Sequence, residues 1–331
     1  MSINNNLRLQ IENFCKKIGT NKSLVYGAGG NISWKESGLL WIKSSGTNLA
    51  DAKKKNIFVP IQLKILKKNI KNKLFFKKIE IAKKEKNKPS IETYMHAVIP
   101  HRIVVHLHSV DFLERLINKN SELILKKLLS GYIVDFFEYI KPGGKLAKKI
   151  YNRKIKFKKI NIILLQNHGF VVSSNNLKPI NLFLKKILKK IKIKKKFYLK
   201  IIDVKAKKIF GYKFSRNKKI QNIIENKNIF NNLTKNWAIC PDHVNFLGSK
   251  PLIFSKIKDY ISIKNKKKPP FLFFKNDGVY EKNFIKRNER EQLVAYYDIV
   301  SKSNSNLITT LNKSQINEII NWKQEIYRRN L

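Results

Sequence analysis

The sequence predicts an α/β fold in which a mixed β-sheet is covered by helices. Apolar stretches of strand length, such as 103–107 and 162–165, alternate with segments whose apolar residues recur at helical spacing. Glycine-containing turns follow several of the strand patterns and indicate hairpins within the sheet. A chain of 331 residues, 43% of them hydrophobic, can bury the substantial core that such a fold needs.

The elements follow in a clear order along the chain. Strand patterns cover residues 23–26, 31–34, 39–43, 103–109, 132–139 and 160–173. Helical patterns cover residues 4–18, 90–99, 109–130, 146–151, 179–191, 287–301 and 314–329. Residues 61–88 alternate apolar residues with lysine pairs, and we expect an exposed segment there. A polar stretch near 214–236 predicts a linker between a larger domain, residues 1–213, and a smaller C-terminal segment, residues 237–331.

The composition narrows the class of protein. The net charge is +48, which suits nucleic-acid or anionic-membrane binding, but lysine, asparagine and isoleucine are enriched together throughout the chain. That pattern favours AT-rich codon usage as the cause, so we expect no specific nucleic-acid partner. The apolar runs are shorter than a membrane span, the N-terminus lacks a signal-peptide pattern, and Cys15 and Cys240 give no disulfide framework. These features predict a cytoplasmic protein without membrane attachment.

Three of the six histidines form a distinctive pattern. His106 and His108 end an apolar strand pattern, and because strand side chains alternate, both project to the same side. His168 follows a second apolar strand, at a turn. Three imidazoles with one open position are typical of a catalytic zinc site. A lone histidine on a strand is more often a core or surface residue, and we leave His96, His101 and His243 outside the predicted metal site, with His101 expected at the surface.

A metal held in this way polarises a carbonyl, and such chemistry also needs a group that moves a proton. Glu92 is the leading candidate, because its predicted helix runs directly into the strand of His106. The alternative is a structural role, in which Ser90 caps that helix and Glu92 favours its first turn. His96 lies four residues after Glu92, on the same helical face.

Two glycine-containing turns are candidates for holding an anionic substrate. The first contains Gly30 and Asn31, and the second contains Ser45 and Gly46. Glycine lets backbone amides approach an anion closely, although each turn alone is equally compatible with an ordinary hairpin. Neither turn is a P-loop or a dinucleotide fingerprint.

Taken together, these motifs resemble the class II aldolase/adducin family. The matching stretches occur in the family's order over roughly residues 5–205: 30–33, 40–47, 89–96, 106–109 and 166–169. The version Pro-Ser-Ile-Glu-Thr at 89–93, the stretch 240–243 and the ending 322–328 resemble the longer branch. That branch includes the aldolase part of rhamnulose-phosphate aldolase/dehydrogenase fusions.

The resemblance implies a three-layer fold with a largely antiparallel central sheet and a small C-terminal α/β extension. It implies a divalent metal, usually Zn²⁺, on His106, His108 and His168. It implies that Glu92 is the catalytic acid/base of a C–C bond cleavage through an enediolate. It further implies that Gly30, Asn31, Ser45, Gly46 and Ser90 hold the substrate. Family members are commonly homotetramers, and a proton-donating tyrosine can come from the neighbouring subunit.

Two positions depart from the family pattern, and several functions stay open. Ala28 and Ile91 stand where related aldolases have hydroxyl residues that bind phosphate, which weakens the prediction of a phosphorylated substrate. Family members also include 4-epimerases, dehydratases and decarboxylases, which share the same metal-binding residues. Adducin shows that the fold can serve as a non-enzymatic scaffold, but adducin-type members lack the three histidines that are present here.

Overall fold

The computed structural model describes residues 5–82, 87–191, 207–263 and 268–331. The chain divides into two compact units. Unit 1 comprises Met1–Leu116, Asn120–Lys192 and Asn330–Leu331, and unit 2 comprises Ile117–Lys119 and Ile193–Arg329. Within the described residues, no helix is both long and apolar enough to cross a membrane.

Unit 1 is built on a seven-stranded sheet. Its strands are β1 (Asn31–Glu36), β2 (Leu39–Lys43), β3 (Phe58–Gln62), β4 (Ile103–Leu107), β5 (Val134–Phe137), β6 (Asn161–Leu165) and β7 (Gly169–Ser174). They lie in the order β3-β2-β1-β4-β7-β6-β5. Every neighbouring pair is antiparallel except β5 with β6. The predicted α/β fold with a largely antiparallel central sheet is confirmed.

Helices cover this sheet because strand side chains alternate between its two faces. The helices are α1 (Asn5–Gly19), α2 (Leu63–Lys71), α3 (Thr93–Val98), α4 (Val110–Leu116), α5 (Ser121–Leu128), α6 (Gly144–Asn152) and α7 (Leu177–Ile191). On β7, Val171 joins a core cluster with residues of α2, α3 and α6. The adjacent Phe170 stacks on Phe112 of α4, with ring centroids 4.0 Å apart, and meets Phe183 of α7 edge-on. The sheet is therefore packed on both faces, as in a three-layer fold.

Two segments of unit 1 differ from expectation. Residues 23–26 form a turn followed by irregular structure instead of a strand, and β1 begins only at Asn31. Residues 61–88 are predicted to form an exposed segment, yet α2 lies there, and Leu66, Ile70 and Phe75 are part of the core cluster. Residues 83–86 of this segment lie outside the described residues. The lysine pairs of this segment occupy the solvent side of an amphipathic helix, so that prediction is wrong for its apolar residues.

Unit 2 contains a four-stranded sheet and its own helices. The strands are β8 (Tyr212–Phe214), β9 (Ile253–Phe254), β10 (Phe271–Phe274) and β11 (Gly278–Lys282), in the order β8-β11-β10-β9. The helices are α8 (Lys218–Glu225), α9 (Lys227–Lys235), α10 (Pro241–Leu247), α11 (Ile257–Ile261), α12 (Arg287–Val300), α13 (Lys313–Ile320) and α14 (Lys323–Asn330). Unit 2 thus combines strands and helices, as expected of the α/β extension, whereas the division into residues 1–213 and 237–331 stays a prediction.

Residues 214–236 carry α8 and α9, so the prediction of a linker there is wrong. The asparagines that made this stretch look like a loop begin its helices. Asn217 accepts hydrogen bonds from the amides of Lys219 and Ile220, and Asn226 does the same for Asn228 and Ile229. Asparagine is a favoured N-cap because its side chain satisfies amides that have no partner within the helix.

Candidate active site

The structure brings together the three histidines that the sequence singled out. His106 lies in β4, His108 directly follows it, and His168 lies in the turn between β6 and β7. Their ring centroids are 4.7 to 5.0 Å apart, and their candidate ligand atoms all lie within 4.8 Å of one another. All three residues are buried. The role of this histidine cluster as a metal site stays a prediction.

Strand pairing fixes the position of each ring. His106 lies opposite Asn31 of β1 and Val171 of β7. Gly169 begins β7 beneath the rings: a Cβ there would lie 2.4 Å from the Leu107 carbonyl oxygen and 3.2 Å from His106 Nε2. Because this space is already filled, only glycine fits, and the hairpin can bring His168 against the other two histidines.

Glu92 lies beside the histidine cluster with its carboxylate buried. Its Oε2 is 3.3 Å from His106 Nδ1, and its Oε1 is 3.6 Å from His168 Nε2. Part of the capping interpretation holds: Ser90 Oγ accepts from the backbone amide of Glu92, at 3.2 Å, in the turn that leads into α3. The helix itself begins at Thr93, and the Glu92 side chain makes no capping hydrogen bond. The turn before α3 therefore aims the carboxylate at the cluster.

Asn31 and His96 surround the other side of Glu92. Asn31 Nδ2 donates to Glu92 Oε2 at 2.8 Å, and Asn31 Oδ1 is hydrogen-bonded to His96 Nε2. His96 Nδ1 in turn lies 2.8 Å from Ser33 Oγ. Burial lowers the pKa of His96 to about 3, so its ring is neutral at ordinary pH. The helical spacing placed His96 correctly on the face of Glu92, but Ser33 was missed.

The candidate substrate loops are tied to one another. The Ser45 amide donates to the Lys88 carbonyl at 2.9 Å, next to the bridge that Ser44 forms with Pro89, and Ser90 follows directly. The ammonium of the buried Lys43 donates to the carbonyls of Thr47, at 2.6 Å, and Ala28, at 3.3 Å. Sequence reasoning missed Lys43, although a lysine at the end of an apolar strand was a signal that could have flagged it.

Gly30 and Gly46, the glycines of these loops, have backbone conformations that other residues rarely adopt. Gly30 has φ +68° and Gly46 has φ +77°, in the left-handed region that glycine adopts readily. A Cβ on Gly30 would also lie 2.8 Å from the His106 carbonyl oxygen. Gly30 therefore lets the first loop approach β4, the strand that carries His106.

The remaining histidines lie outside the cluster. His101 was expected at the surface, but it is buried, with Nδ1 2.9 Å from Ser173 Oγ and Nε2 2.5 Å from the Lys158 carbonyl oxygen. That expectation is wrong, because β7 and the segment before β6 cover the ring. His243 is buried in unit 2, packed against Trp237 and Tyr296.

The donor set fits a divalent metal. Imidazoles are good ligands for zinc and related ions, and three imidazoles converge here in a buried site with a carboxylate alongside. Among the described residues, no other group of three or more histidine, cysteine, aspartate or glutamate side chains converges in this way.

Comparison with known proteins identifies the family. Residues 10–179, about half of the chain, match the Class II Aldolase and Adducin N-terminal domain. The chain belongs to the class II aldolase and adducin family. Members of the class II aldolase superfamily are typically enzymes, and class II aldolases generally use a divalent metal.

Individual relatives cover only part of the chain. A protein named uncharacterized oxidoreductase YuxG, from Bacillus subtilis (strain 168), is 27% identical over 171 residues, which are 46% of this chain and 24% of that protein. This chain thus matches about a quarter of the length of that relative.

Solved structures in the same family are more distant in sequence. The N-terminal class II aldolase domain of a conserved protein from Thermoplasma acidophilum is 23% identical, with a TM-score of 0.48, and covers 58% of this chain and 94% of that chain. A sugar-phosphate aldolase from Thermotoga maritima is 16% identical, with a TM-score of 0.43. The match covers 56% of this chain and 93% of that chain.

Proposed function

We propose that this protein is a metal-dependent aldehyde-lyase that cleaves or forms a C–C bond beside a carbonyl in a sugar or sugar phosphate. One observation supports this most: the buried carboxylate of Glu92 lies 3.3 and 3.6 Å from imidazoles of the histidine cluster. We assign His106, His108 and His168 as the ligands of a divalent metal, Zn²⁺ by the chemistry of the donor set. The catalytic domain is then the N-terminal part of the chain.

Each part of the site has a chemical task. The metal, when bound, supplies a Lewis acid that polarises the substrate carbonyl. Glu92 takes the proton of the substrate hydroxyl as the C–C bond breaks, and returns a proton to the carbon that gains the electron pair. Asn31 donates to Oε2 of this carboxylate, which fixes its orientation while Oε2 lies near His106 and Oε1 lies near His168. Burial of the carboxylate excludes bulk water from the proton transfer.

The loops beside the site suit a small hydroxylated carbonyl compound. Gly30, Asn31, Ser45, Gly46 and Ser90 are the proposed substrate-binding residues, and the links among residues 44–45 and 88–90 support a shared pocket wall. Ala28 and Ile91 offer no side-chain donor where related aldolases have hydroxyls, so a phosphate would depend on the hydroxyls of Ser45 and Ser90 and on backbone amides. We further propose a cytoplasmic homo-oligomer, as a tetramer, without membrane or specific nucleic-acid partners.

The proposal is tested by metal analysis combined with a retro-aldol screen. The purified protein should contain about one divalent ion per chain, and aldehyde should be released from one member of a panel of ketoses and ketose phosphates. Full product analysis separates the related reactions. A product with an inverted hydroxyl would indicate an epimerase, loss of water a dehydratase, and loss of carbon dioxide a decarboxylase, and any of these would contradict the lyase proposal. Salt-sensitive nucleic-acid binding without metal or turnover would replace it by a binding protein.

A further inference from the structure

Four buried side chains form one continuous chain of hydrogen bonds ending at Glu92. Ser33 meets His96 at 2.8 Å, His96 meets Asn31, and Asn31 donates to Glu92 at 2.8 Å. The residues of each pair are 61 to 65 positions apart in the sequence, so the chain exists only in the folded protein. Each of the four residues is at most 5% exposed.

The chemistry of the end group fixes where every proton lies. A carboxylate only accepts hydrogen bonds, so Asn31 must direct its NH₂ group toward Glu92. Asn31 Oδ1 then faces His96 Nε2, which must carry the ring proton. A neutral imidazole has one such proton, so His96 Nδ1 is an acceptor and takes the hydroxyl proton of Ser33. All four contacting groups are satisfied in this single direction.

Rotating the Asn31 amide while His96 keeps its Nε2 proton is unfavourable at two contacts, and with the other His96 tautomer the contact with the Glu92 carboxylate is still unfavourable. A rotated Asn31 amide would place Oδ1 against the Glu92 carboxylate, and its NH₂ group would face the N–H of His96. Buried polar groups left without a partner each cost about 1–3 kcal/mol. An Asn31 held only by Glu92 would lack the second restraint on its amide orientation.

We infer that His96 and Ser33 are positioning residues, which fix the Asn31 amide so that it donates to Glu92. Neither residue needs to touch substrate. The inference rests on the proposed function only for the role of Glu92; the hydrogen-bond direction itself is independent of it. This explains why a histidine is placed one helical turn after Glu92 without joining the metal site.

The first test reads the ring proton directly and needs no substrate. The imidazoles of the six histidines are labelled with ¹⁵N, and two-bond ¹H–¹⁵N spectra report the tautomer of each. The signal missing from a His96→Leu variant assigns His96. We expect a neutral Nε2–H ring, unchanged between about pH 5 and 8. A neutral Nδ1–H ring, or a charged ring in this range, would overturn the inference.

The second test uses matched variants on the substrate found by the retro-aldol screen. Ser33→Ala should lower kcat about threefold to tenfold and His96→Leu about 10- to 100-fold, with KM and metal content unchanged. His96→Gln, which keeps an amide donor, should lose less than His96→Leu. The control is Ser173→Ala, which removes the hydroxyl of an equally buried serine–histidine pair, Ser173 with His101, away from Glu92.

The outcomes separate the two proposals. Wild-type kcat in both Ser33→Ala and His96→Leu, or an equal loss in Ser173→Ala, would overturn the positioning role. A protein without turnover on any substrate would contradict the proposed lyase function, and the tautomer spectrum would still decide the hydrogen-bond direction. Ser33→Ala removes a single atom from a strand residue, so this variant tests the inference even if His96→Leu does not fold.

Discussion

Buried histidines occur in both units, and their surroundings differ in kind. In unit 1, three imidazoles face one another and Glu92 lies within 3.6 Å of two of them. In unit 2, His243 lies between aromatic rings, 4.2 Å from Trp237 and 4.8 Å from Tyr296 by ring centroids. Within the described residues, neither ring nitrogen of His243 has a hydrogen-bond partner. The histidines are buried in both regions, so burial alone does not identify a candidate reactive site. The convergence of several polar side chains distinguishes the cluster of unit 1.

Removing one imidazole from the cluster gives the largest expected effect. His106→Ala should lower metal affinity by more than about a hundredfold, because even the loss of a residue that only supports a ligand costs about 10- to 100-fold. Activity should be lost with the metal. Equilibrium dialysis against a zinc-sensitive dye measures the affinity. His243→Phe is the matched control, and a similar loss of metal in that variant would contradict the contrast between the two regions.

Replacing the carboxylate tests the proton transfer separately from the metal. Glu92→Gln keeps the size of the side chain and an oxygen that can accept from Asn31. We expect kcat to fall by about 10²- to 10⁴-fold, the usual contribution of a general acid–base group, while metal content is retained. Steady-state kinetics and metal analysis on one preparation decide this, and a fully active Glu92→Gln enzyme would rule out Glu92 as the base.

His243 should contribute to the pH dependence of the free energy of unfolding. Burial lowers the pKa of His243 from 6.5 to about 3. Below about pH 6.5 the unfolded chain binds a proton there that the folded chain does not, so stability is lost as pH falls from 6.5 toward 3. The slope is at most roughly 1.4 kcal/mol per pH unit from this group. Urea unfolding at several pH values should show a shallower slope for His243→Phe, and an unchanged slope would argue against the lowered pKa.

The smallest effect is expected at His101, which is buried and hydrogen-bonded but remote from the cluster. His101→Ala should lower the free energy of unfolding by about 1–3 kcal/mol, since Ser173 and the Lys158 carbonyl lose their partner. Metal affinity should match the wild type. Denaturant unfolding and metal titration check both expectations, and reduced metal affinity would place His101 in the site after all.

Local spacing predicted the part of the site that local geometry determines. The two-residue period of a strand placed His106 beside His108, and the four-residue spacing within a helix placed His96 on the same helical face as Glu92. The histidine types and the family resemblance predicted one meeting of distant segments, that of His168 with His106 and His108, but other contacts of this kind escaped prediction. Ser33 could not be linked to His96 by any spacing, and the burial of His101 depends on Ser173, in a strand more than seventy residues away.

The errors in the fold have a common physical origin. Polar residues at helix ends and on helix surfaces resemble loops when only composition is considered. Asn217 and Asn226 suggested a linker but cap helices, and the lysine pairs after residue 61 concealed Leu66 and Ile70, which face the core. In a chain with so many lysines, apolar spacing is a better guide than polarity.

The β6–β7 hairpin, whose second strand starts at Gly169, has a thermodynamic consequence. Backbone hydrogen bonds of β4 with β1 and β7 position the histidines, so an ion would enter a preorganised site and need not supply folding free energy, as it must in a zinc finger. Its contribution then follows mass action, about 4 kcal/mol at a thousandfold excess over Kd. Circular dichroism should show a chelated protein that remains folded, with a melting temperature that climbs with the logarithm of added Zn²⁺. The folded protein thus sets the geometry of the three histidines, and the bound ion changes only the ratio of folded to unfolded protein.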